Sequence, residues 1–151
     1  MRRLATVIIS VIILLTLCGC TVFRDINIPE GYTSAEEYRD PQATQDHTDF
    51  CVYHYTSEEA IINASGYREI SESDVESIAG YFADFRKWME VQGRSDEYSF
   101  DPACISAGDY CLVKTLEGQP VAGGAYGKYD NYTVYFYDTE TDTLYYIHSN
   151  I

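Results

Sequence analysis

The clearest pattern along the chain is a stripe of apolar residues that recur at steps of three and four in its middle third. A period near 3.6 is typical of an amphipathic helix with one buried face. The stripe consists of Val75, Ile78, Ala79, Phe82, Phe85 and Met89. Ser73 and Glu76 match a capping box in front of it, and Gly93 stands where helices commonly end. The pattern therefore predicts one long helix at about 74–92.

The C-terminal third changes to a period of two, which is typical of strands with one buried face. Val134 and Phe136 alternate there with Tyr135 and Tyr137. Clusters of turn-forming residues divide the region into short runs. The predicted strands are 110–116, 121–126, 132–138 and 143–148.

These elements predict an α+β fold, in which the helix at about 74–92 packs on a C-terminal four-stranded antiparallel meander at about 110–149. A helix followed by a meander resembles the cystatin-like rolls in topology alone, over about residues 73–149. No function follows from that resemblance. A short β-prone run at 50–55 is either a first strand or the approach to a helix.

The chain divides at about residue 50. Residues 20–49 carry prolines, glycine and scattered acids with no sustained period. Such a segment buries too little apolar surface to offset the entropy of ordering it. We therefore predict a flexible acidic linker at 20–49 and a single small globular domain at 50–151. The alternative is that Phe23, Ile26 and Ile28 dock on the domain.

The first twenty residues have the parts of a secretory signal, namely two arginines, an uncharged apolar stretch and a small residue before the cut. They end in Leu17-Cys18-Gly19-Cys20, which resembles the lipobox of bacterial lipoproteins. The resemblance implies that residues 1–19 are a lipoprotein signal peptide. It also implies that Cys20 becomes the acylated first residue of the mature chain, carrying a diacylglyceryl anchor with palmitate-like chains.

This resemblance implies a location at the cell membrane, on its extracytoplasmic face, or at the outer membrane of a Gram-negative cell. The alternatives are an uncleaved transmembrane anchor and a cleaved signal without lipid. As a helix, the apolar stretch at 4–17 would span only about 21 Å, less than the roughly 30 Å of a hydrocarbon core. A plain cleavage site has no use for a cysteine. The sequence therefore favours lipidation of Cys20.

The chain is strongly acidic, since 24 Asp and Glu against 10 Lys and Arg give a formal net charge of −14 at pH 7. Nucleic-acid binding depends on basic patches, so this class of partner is excluded. We expect a membrane partner through the lipid, and an envelope protein, peptide or glycan as a further partner. No cofactor motif is present in the sequence.

The cysteines beyond the signal suggest one bridge. Cys104 and Cys111 are seven positions apart, and in an oxidising compartment this spacing indicates a small disulfide loop. Two reduced thiols are the alternative. Cys51 is then left over and is predicted to be a buried structural thiol.

A catalytic centre would need a nucleophile, a base and an orienting group. The available side chains are Cys51, Cys104, Cys111, His47, His54 and His148. No local signature selects a pair among them, so we predict no catalytic residue. Three acids at 138–142 have the spacing of a calcium loop but lack its Gly and its final Glu. We therefore interpret this segment as a hairpin turn and predict no metal site.

Tyrosine is unusually common, with 15 residues in the chain. We predict that Tyr135, Tyr137 and Tyr145 share the sheet face away from the helix. Such a stripe suits a partner-binding face, because tyrosine is enriched at recognition surfaces. Cross-strand tyrosine pairs also stabilise sheets without any ligand.

The sequence thus favours a membrane-anchored surface lipoprotein whose domain is a non-catalytic binding module. An envelope hydrolase that uses a Cys–His pair and a structural envelope component are the alternatives.

Overall fold

The computed structural model describes residues 25–40, 47–115, 117–127, 129 and 131–150. Within them one sheet of six antiparallel strands has the order β1-β2-β6-β5-β4-β3. The strands are β1 (Ser34–Tyr38), β2 (His47–His54), β3 (Arg68–Glu69), β4 (Tyr110–Thr115), β5 (Tyr132–Asp138) and β6 (Thr143–Asn150). The helices are α1 (Glu59–Ile62) and α2 (Val75–Val91), and two 3₁₀ turns lie at Ser95–Glu97 and Pro102–Cys104.

The fold class is α+β, but the predicted four-stranded meander is wrong. The strand expected at 121–126 is absent from the sheet. That segment is linked to β4 by one backbone bond, from Val121 N–H to the Val113 carbonyl at 2.8 Å, next to an isolated bridge between Lys114 and Pro120. It then turns away at Gly124, whose φ is +75° and whose N–H donates to the Asp74 carboxylate at the start of α2, at 3.0 Å.

Three further strands come from the N-terminal half. The run at 50–55, for which a first strand and the approach to a helix were both open, lies in β2 as far as His54, whereas β1 and β3 were not predicted. β2 inserts beside β6 over eight residue pairs, from His47 opposite Asn150 to His54 opposite Thr143. β1 then pairs with the other edge of β2, and β3 pairs with β4. The topology of a helix followed by a four-stranded meander, on which the likeness to cystatin-like rolls depended, is therefore not the one observed.

Helix α2 confirms the long helix expected at 74–92 to within one residue at each end. Its C-terminus has the hydrogen bonds of a Schellman motif, because Arg94 N–H donates to the Met89 carbonyl at 2.8 Å and Gly93 N–H to the Glu90 carbonyl at 3.1 Å. Gly93 has a φ of +70°, which glycine adopts without strain. The predicted capping box does not form. Asp74 is the N-cap residue, and its carboxylate accepts from Ser71 and Gly124 instead.

One layer of the core lies between α2 and the sheet. The helix buries four residues of the predicted stripe, and Tyr81 joins them, while Val75 and Ala79 are partly buried at the edge of the layer. These side chains pack on the alternating apolar residues of four neighbouring strands. The sheet contributes Phe50, Val52, Val113, Val134, Phe136 and Ile147.

A second core layer covers the opposite face of the sheet, here called the outer face. The chain from Asp25 to Tyr32 and the helix α1 lie over it, so that Ile28 and Ile61 are buried. Two tyrosine hydroxyls hold the N-terminal segment in place. Tyr55 donates to the Pro29 carbonyl at 2.7 Å and Tyr67 to the Asn27 carbonyl at 2.9 Å.

This second layer corrects the expectation of a flexible linker at 20–49. Within that range β1 is part of the sheet, the first residues of β2 lie beside β6, and Ile28 is only 5% exposed. The alternative that Ile28 docks on the domain is confirmed, whereas Ile26 is 94% exposed and Phe23 lies outside the described residues. Within the part of the chain that the structure describes, no helix has the length and apolarity needed to cross a membrane.

Candidate functional site

The tyrosines predicted to form a binding face do not lie on one exposed surface. Tyr135 and Tyr137 point to the outer face, but they are 2% and 0% exposed because the N-terminal segment and α1 cover them. Tyr145 pairs with Phe136 in the register of the sheet and packs on the helix side, with its ring centroid 4.6 Å from that of Phe100. Their role in this structure is packing.

The hydroxyl of Tyr135 instead anchors the N-terminal segment. It donates to the Asp25 carboxylate, and burial together with that carboxylate raises the pKa of Tyr135 above its ordinary value. Asn27 Nδ2 donates to Asp25 Oδ1 at 2.7 Å and to the Tyr135 hydroxyl at 3.2 Å. Lys114 Nζ donates to Asn27 Oδ1 at 3.1 Å. This network holds Asp25 and Asn27 on the outer face of the sheet.

Two of the three candidate histidines come together at one end of the outer face. The ring centroids of His47 and His148 lie 4.8 Å apart. The third, His54, is at the opposite end of β2, where its Nδ1 lies 3.2 Å from Thr143 Oγ1. His148 pairs in register with Asp49 on one side and with Thr133 on the other, and its Nδ1 lies 2.8 Å from Thr133 Oγ1.

The histidine pair is not arranged as a base with an orienting carboxylate. Asp49 Oδ1 accepts from the backbone N–H of Asp40 at 2.9 Å, and Asp49 Oδ2 lies 3.6 Å from the Arg39 guanidinium. His47 Nδ1 is buried and finds no hydrogen-bond partner among the described residues. In the same part of the chain, no group of three or more His, Cys, Asp or Glu side chains is arranged to hold a metal ion.

We expect His148 to make the protein less stable in mild acid. Burial lowers the pKa of His148 below its ordinary value of 6.5, and His47 and Arg39 add to this effect while Asp49 and Asp25 oppose it. As the pH falls through 6.5, the unfolded chain takes up a proton that the folded chain resists, so the free energy of unfolding decreases. The stabilising contribution is complete above that pH and is lost as the pH falls through the pKa of the folded state.

The measurement is the melting temperature at pH 7.5 and at 5.5 for the wild type, His148→Gln and His54→Gln. We expect the drop between the two pH values to be smaller in His148→Gln than in the other two proteins. Carboxylates that titrate between these two pH values change the melting temperature of all three proteins alike. An equal drop in His148→Gln would show that His148 does not carry the effect.

The thiols lie apart from one another and in environments that suppress ionisation. Cys51 is buried on the outer face beside Tyr53 and Asp49, and burial raises the pKa of its thiol to about 11. Cys111 is buried on the helix side, with Sγ 3.6 Å from the Tyr126 hydroxyl, and its pKa is also raised to about 11. Burial and the carboxylates of Asp138 and Asp109 raise the pKa of Cys104 to about 11 as well. A catalytic thiol requires the opposite shift.

The disulfide predicted between Cys104 and Cys111 is not formed, since both thiols are free in the structure. Cys111 points into the helix-side core, whereas Cys104 is exposed in the 3₁₀ turn Pro102–Cys104. The turn between them is fixed by Asp109, whose carboxylate accepts from Ser106 N–H at 2.8 Å. The prediction that Cys51 is a buried thiol is confirmed.

Alkylation with iodoacetamide at pH 8, followed by mass spectrometry, tests this arrangement. We expect Cys104 to react first in the native protein, because it is exposed. We expect Cys51 and Cys111 to react at least about a hundredfold more slowly than when unfolded, since a pKa of about 11 leaves about a hundredfold less thiolate than the ordinary 9.0. If neither Cys104 nor Cys111 were alkylated in the protein unfolded without reductant, a disulfide between them would be demonstrated instead.

The acids at 138–142 form the hairpin turn that the sequence predicted. Asp138 accepts from Glu140 N–H at 2.9 Å and from Thr141 Oγ1 at 2.8 Å, within its own turn. Asp142, with a φ of +52°, accepts from the Tyr137 hydroxyl at 2.7 Å. These carboxylates stabilise the link between β5 and β6.

A polar groove of about 440 Å³ lies on the helix side, between the C-terminal half of α2 and the segment that follows it. Its accessible rim is formed mainly by polar residues, including Glu90, Ser95, Ser99 and Asp101. Arg86 fixes one wall by donating to the Phe100 carbonyl at 2.6 Å, and its guanidinium lies 5.5 Å from the centre of the Tyr98 ring. No local pattern in the sequence indicates this groove.

Comparisons with known proteins give no match: no protein-family model, no curated protein and no solved structure is similar to this chain.

Proposed function

We propose that this chain is a bacterial surface lipoprotein, attached to the membrane through Cys20, whose α+β domain is a non-catalytic interaction module. The observation that carries the proposal is the Leu17-Cys18-Gly19-Cys20 motif at the end of a signal-like segment. The structure adds that the chain is already docked on the domain at Asp25, five residues later. An anchor at Cys20 would therefore hold the domain next to the bilayer.

The surroundings of the thiols and imidazoles that a Cys–His hydrolase would use support a non-catalytic role. The pKa values of the three thiols in the domain are raised to about 11, which disfavours a thiolate nucleophile at neutral pH. The paired imidazoles of His47 and His148 lie beside a carboxylate that is engaged elsewhere. The alternative of a Cys–His hydrolase has no such support in the geometry.

We assign the interaction surface to the groove beside α2. The tyrosine face is covered by the chain itself, so it does not supply an accessible surface. The groove is concave, carries charged and hydroxyl groups at its rim, and lies on the side of the sheet opposite to Asp25. An anchor near Asp25 would leave this side free for an envelope protein, a peptide or a glycan.

The anchor is tested by feeding cells an alkyne analogue of palmitate and detecting labelled protein on gels. We expect label in the wild type, none in Cys20→Ala, and full label in the matched control Cys18→Ala, because alanine is acceptable at that lipobox position. Label that persists in Cys20→Ala, or is missing from the wild type, would reject the lipoprotein assignment.

The interaction surface is tested with a photo-crosslinking amino acid placed in living cells at Ser99, in the groove, or at Glu76, which is exposed at the other end of α2. We expect one dominant product from position 99 that is absent from position 76 and lost when Glu90→Arg is added. The same mixture of products from both positions would argue against binding in the groove.

A further inference from the structure

A second concave surface lies on the outer layer, around the point where the described chain begins. It is a groove of about 360 Å³ between the N-terminal segment, the turn after α1 and the loop after β4. Most of its lining is apolar. The lining includes Ile26, Pro29, Ala64, Leu112, Lys114 and Pro120. We call this surface the Ile26 rim.

The Ile26 rim differs from the rest of the chain in charge. Among the described residues that line it, Lys114 is the one charged side chain, and it is a cation. The chain as a whole has a net charge of −14 and 24 acidic residues. The neighbouring carboxylate, that of Asp25, is held by Tyr135 and Asn27. Glu30 and Glu117 flank the groove without lining it. In so acidic a protein, a lining without carboxylates lessens the repulsion that anionic headgroups would exert.

One apolar side chain of the rim is almost fully accessible. Ile26 is 94% exposed, although Ile28, two residues later, is buried in the outer core. Single exposed apolar residues are common on proteins and need no explanation. Here, however, Ile26 stands at the mouth of an apolar groove and immediately follows the residue that Tyr135 anchors.

The length of chain between the rim and the lipobox cysteine points to the occupant. Four residues separate Cys20 from Asp25, so even when fully extended the chain spans no more than about 18 Å between them. The diacylglyceryl group of Cys20 would lie in the bilayer. Because the Asp25–Tyr135 contact fixes the other end of this short connection, the connection favours an orientation with the outer layer towards the membrane.

We propose that the Ile26 rim rests on the lipid bilayer, with Ile26 in the interfacial layer and Lys114 towards the headgroups. This inference depends on the proposed lipidation of Cys20. It gives the domain one orientation, with the outer layer towards the membrane and the α2 groove away from it. A lipid surface suits an exposed aliphatic side chain beside a cation, because apolar side chains enter the interface while basic groups stay with the headgroups.

The test uses the full lipidated protein in vesicles of phosphatidylcholine and phosphatidylglycerol with brominated acyl chains, which quench nearby tryptophan. The chain has one tryptophan, Trp88, so Trp88→Phe gives a silent background. Ile26→Trp is placed at the rim. Val91→Trp is the matched control, because Val91 is also an exposed aliphatic residue, at the end of α2 on the other side of the sheet.

We expect the emission of Ile26→Trp to fall about twofold relative to unbrominated vesicles, because interfacial side chains lie within about 10 Å of the acyl boundary. The emission of Val91→Trp should not change. Equal quenching at both positions, or no quenching of Ile26→Trp, would overturn the proposed orientation. If the tryptophan of Ile26→Trp were shielded from aqueous iodide but not quenched by bromine, a protein and not the bilayer would cover the rim. This result would also overturn the proposed orientation.

The intact mass of the protein in the same samples distinguishes a failure of the proposed lipidation at Cys20 from a failure of the proposed orientation. If the chain is lipidated but Ile26→Trp is not quenched, the lipidation of Cys20 is supported and the contact of the rim with the bilayer is rejected. A chain without lipid at Cys20 would reject both.

Discussion

Replacing Ile28 with alanine should lower the free energy of unfolding by about 3 kcal/mol, in the range found for buried Ile→Ala changes. Ile28 is 5% exposed and packs in the outer core among the tyrosines of the sheet. Loss of its side chain would leave a cavity beneath the N-terminal segment. Urea unfolding followed by circular dichroism measures the difference.

Ile26→Ala is the matched control, because it removes the same atoms from a side chain that is 94% exposed, two positions away. We expect its effect on the domain, without a membrane, to stay within about 0.5 kcal/mol. Equal and small effects of the two substitutions would mean that the segment from Asp25 does not dock in solution. The outer core would then have to be covered in another way.

Arg94→Ala should also destabilise the domain by about 3 kcal/mol, since it removes several hydrogen bonds of a charged and largely buried group. Arg94 follows Gly93 at the end of α2. Its guanidinium donates to the Thr48 carbonyl at 2.8 Å, to the Tyr38 carbonyl at 3.3 Å and to the Glu97 carboxylate at 2.7 Å. It therefore joins the helix end to β1 and β2.

Two variants show whether this effect comes from geometry or from charge. Arg94→Lys keeps the charge but lacks the planar fork that reaches several acceptors, so we expect it to recover less than half of the loss. Arg39→Ala removes a side chain that is 38% exposed, together with its ion pairs to Glu37 and Asp49, and should cost less than about 1 kcal/mol. A loss for Arg94→Ala no larger than that for Arg39→Ala would contradict the bridging role.

The helix was predictable because all of its signals are local. The apolar stripe from Val75 to Met89 follows the helical period, and Gly93 marks the end through its own backbone preference. The start was less certain, because the Asp74 side chain binds the distant Gly124 rather than its own helix. A contact fifty residues along the chain replaced the local capping box.

The sheet was only partly predictable, because strand order depends on contacts between distant segments. β5 and β6 were visible from their alternation, and the turn between them was also correct. The segment at 121–126 has strand-like ends but two central glycines, which favour a turn over continued pairing. Nothing local indicates that β2 lies beside β6, since the paired residues are about a hundred positions apart along the chain.

The prediction of a tyrosine binding face was wrong for the same reason, because the faces and contacts of side chains depend on how distant strands pair. Whether Tyr145 shares a face with Tyr135 depends on the register between β5 and β6, which places Tyr146 opposite Tyr135. The contact between His47 and His148 arises from the pairing of β2 with β6. The N-terminal segment looked like a linker because its composition is polar. One isoleucine and three tyrosine contacts nevertheless hold it on the sheet.

The insertion of β2 between β1 and β6 has a consequence for how the protein reaches its native state. Cys51 and Tyr146 pair near the centre of the sheet, so the sheet cannot close until the chain is available at least as far as β6. Non-local pairing of this kind slows folding, because the entropy of a long loop must be lost before the contacts form. If the chain crosses a membrane with its N-terminus first, as the proposed signal peptide implies, β2 would meet its partner only after β6 has emerged, so β6 would set the time at which the sheet closes.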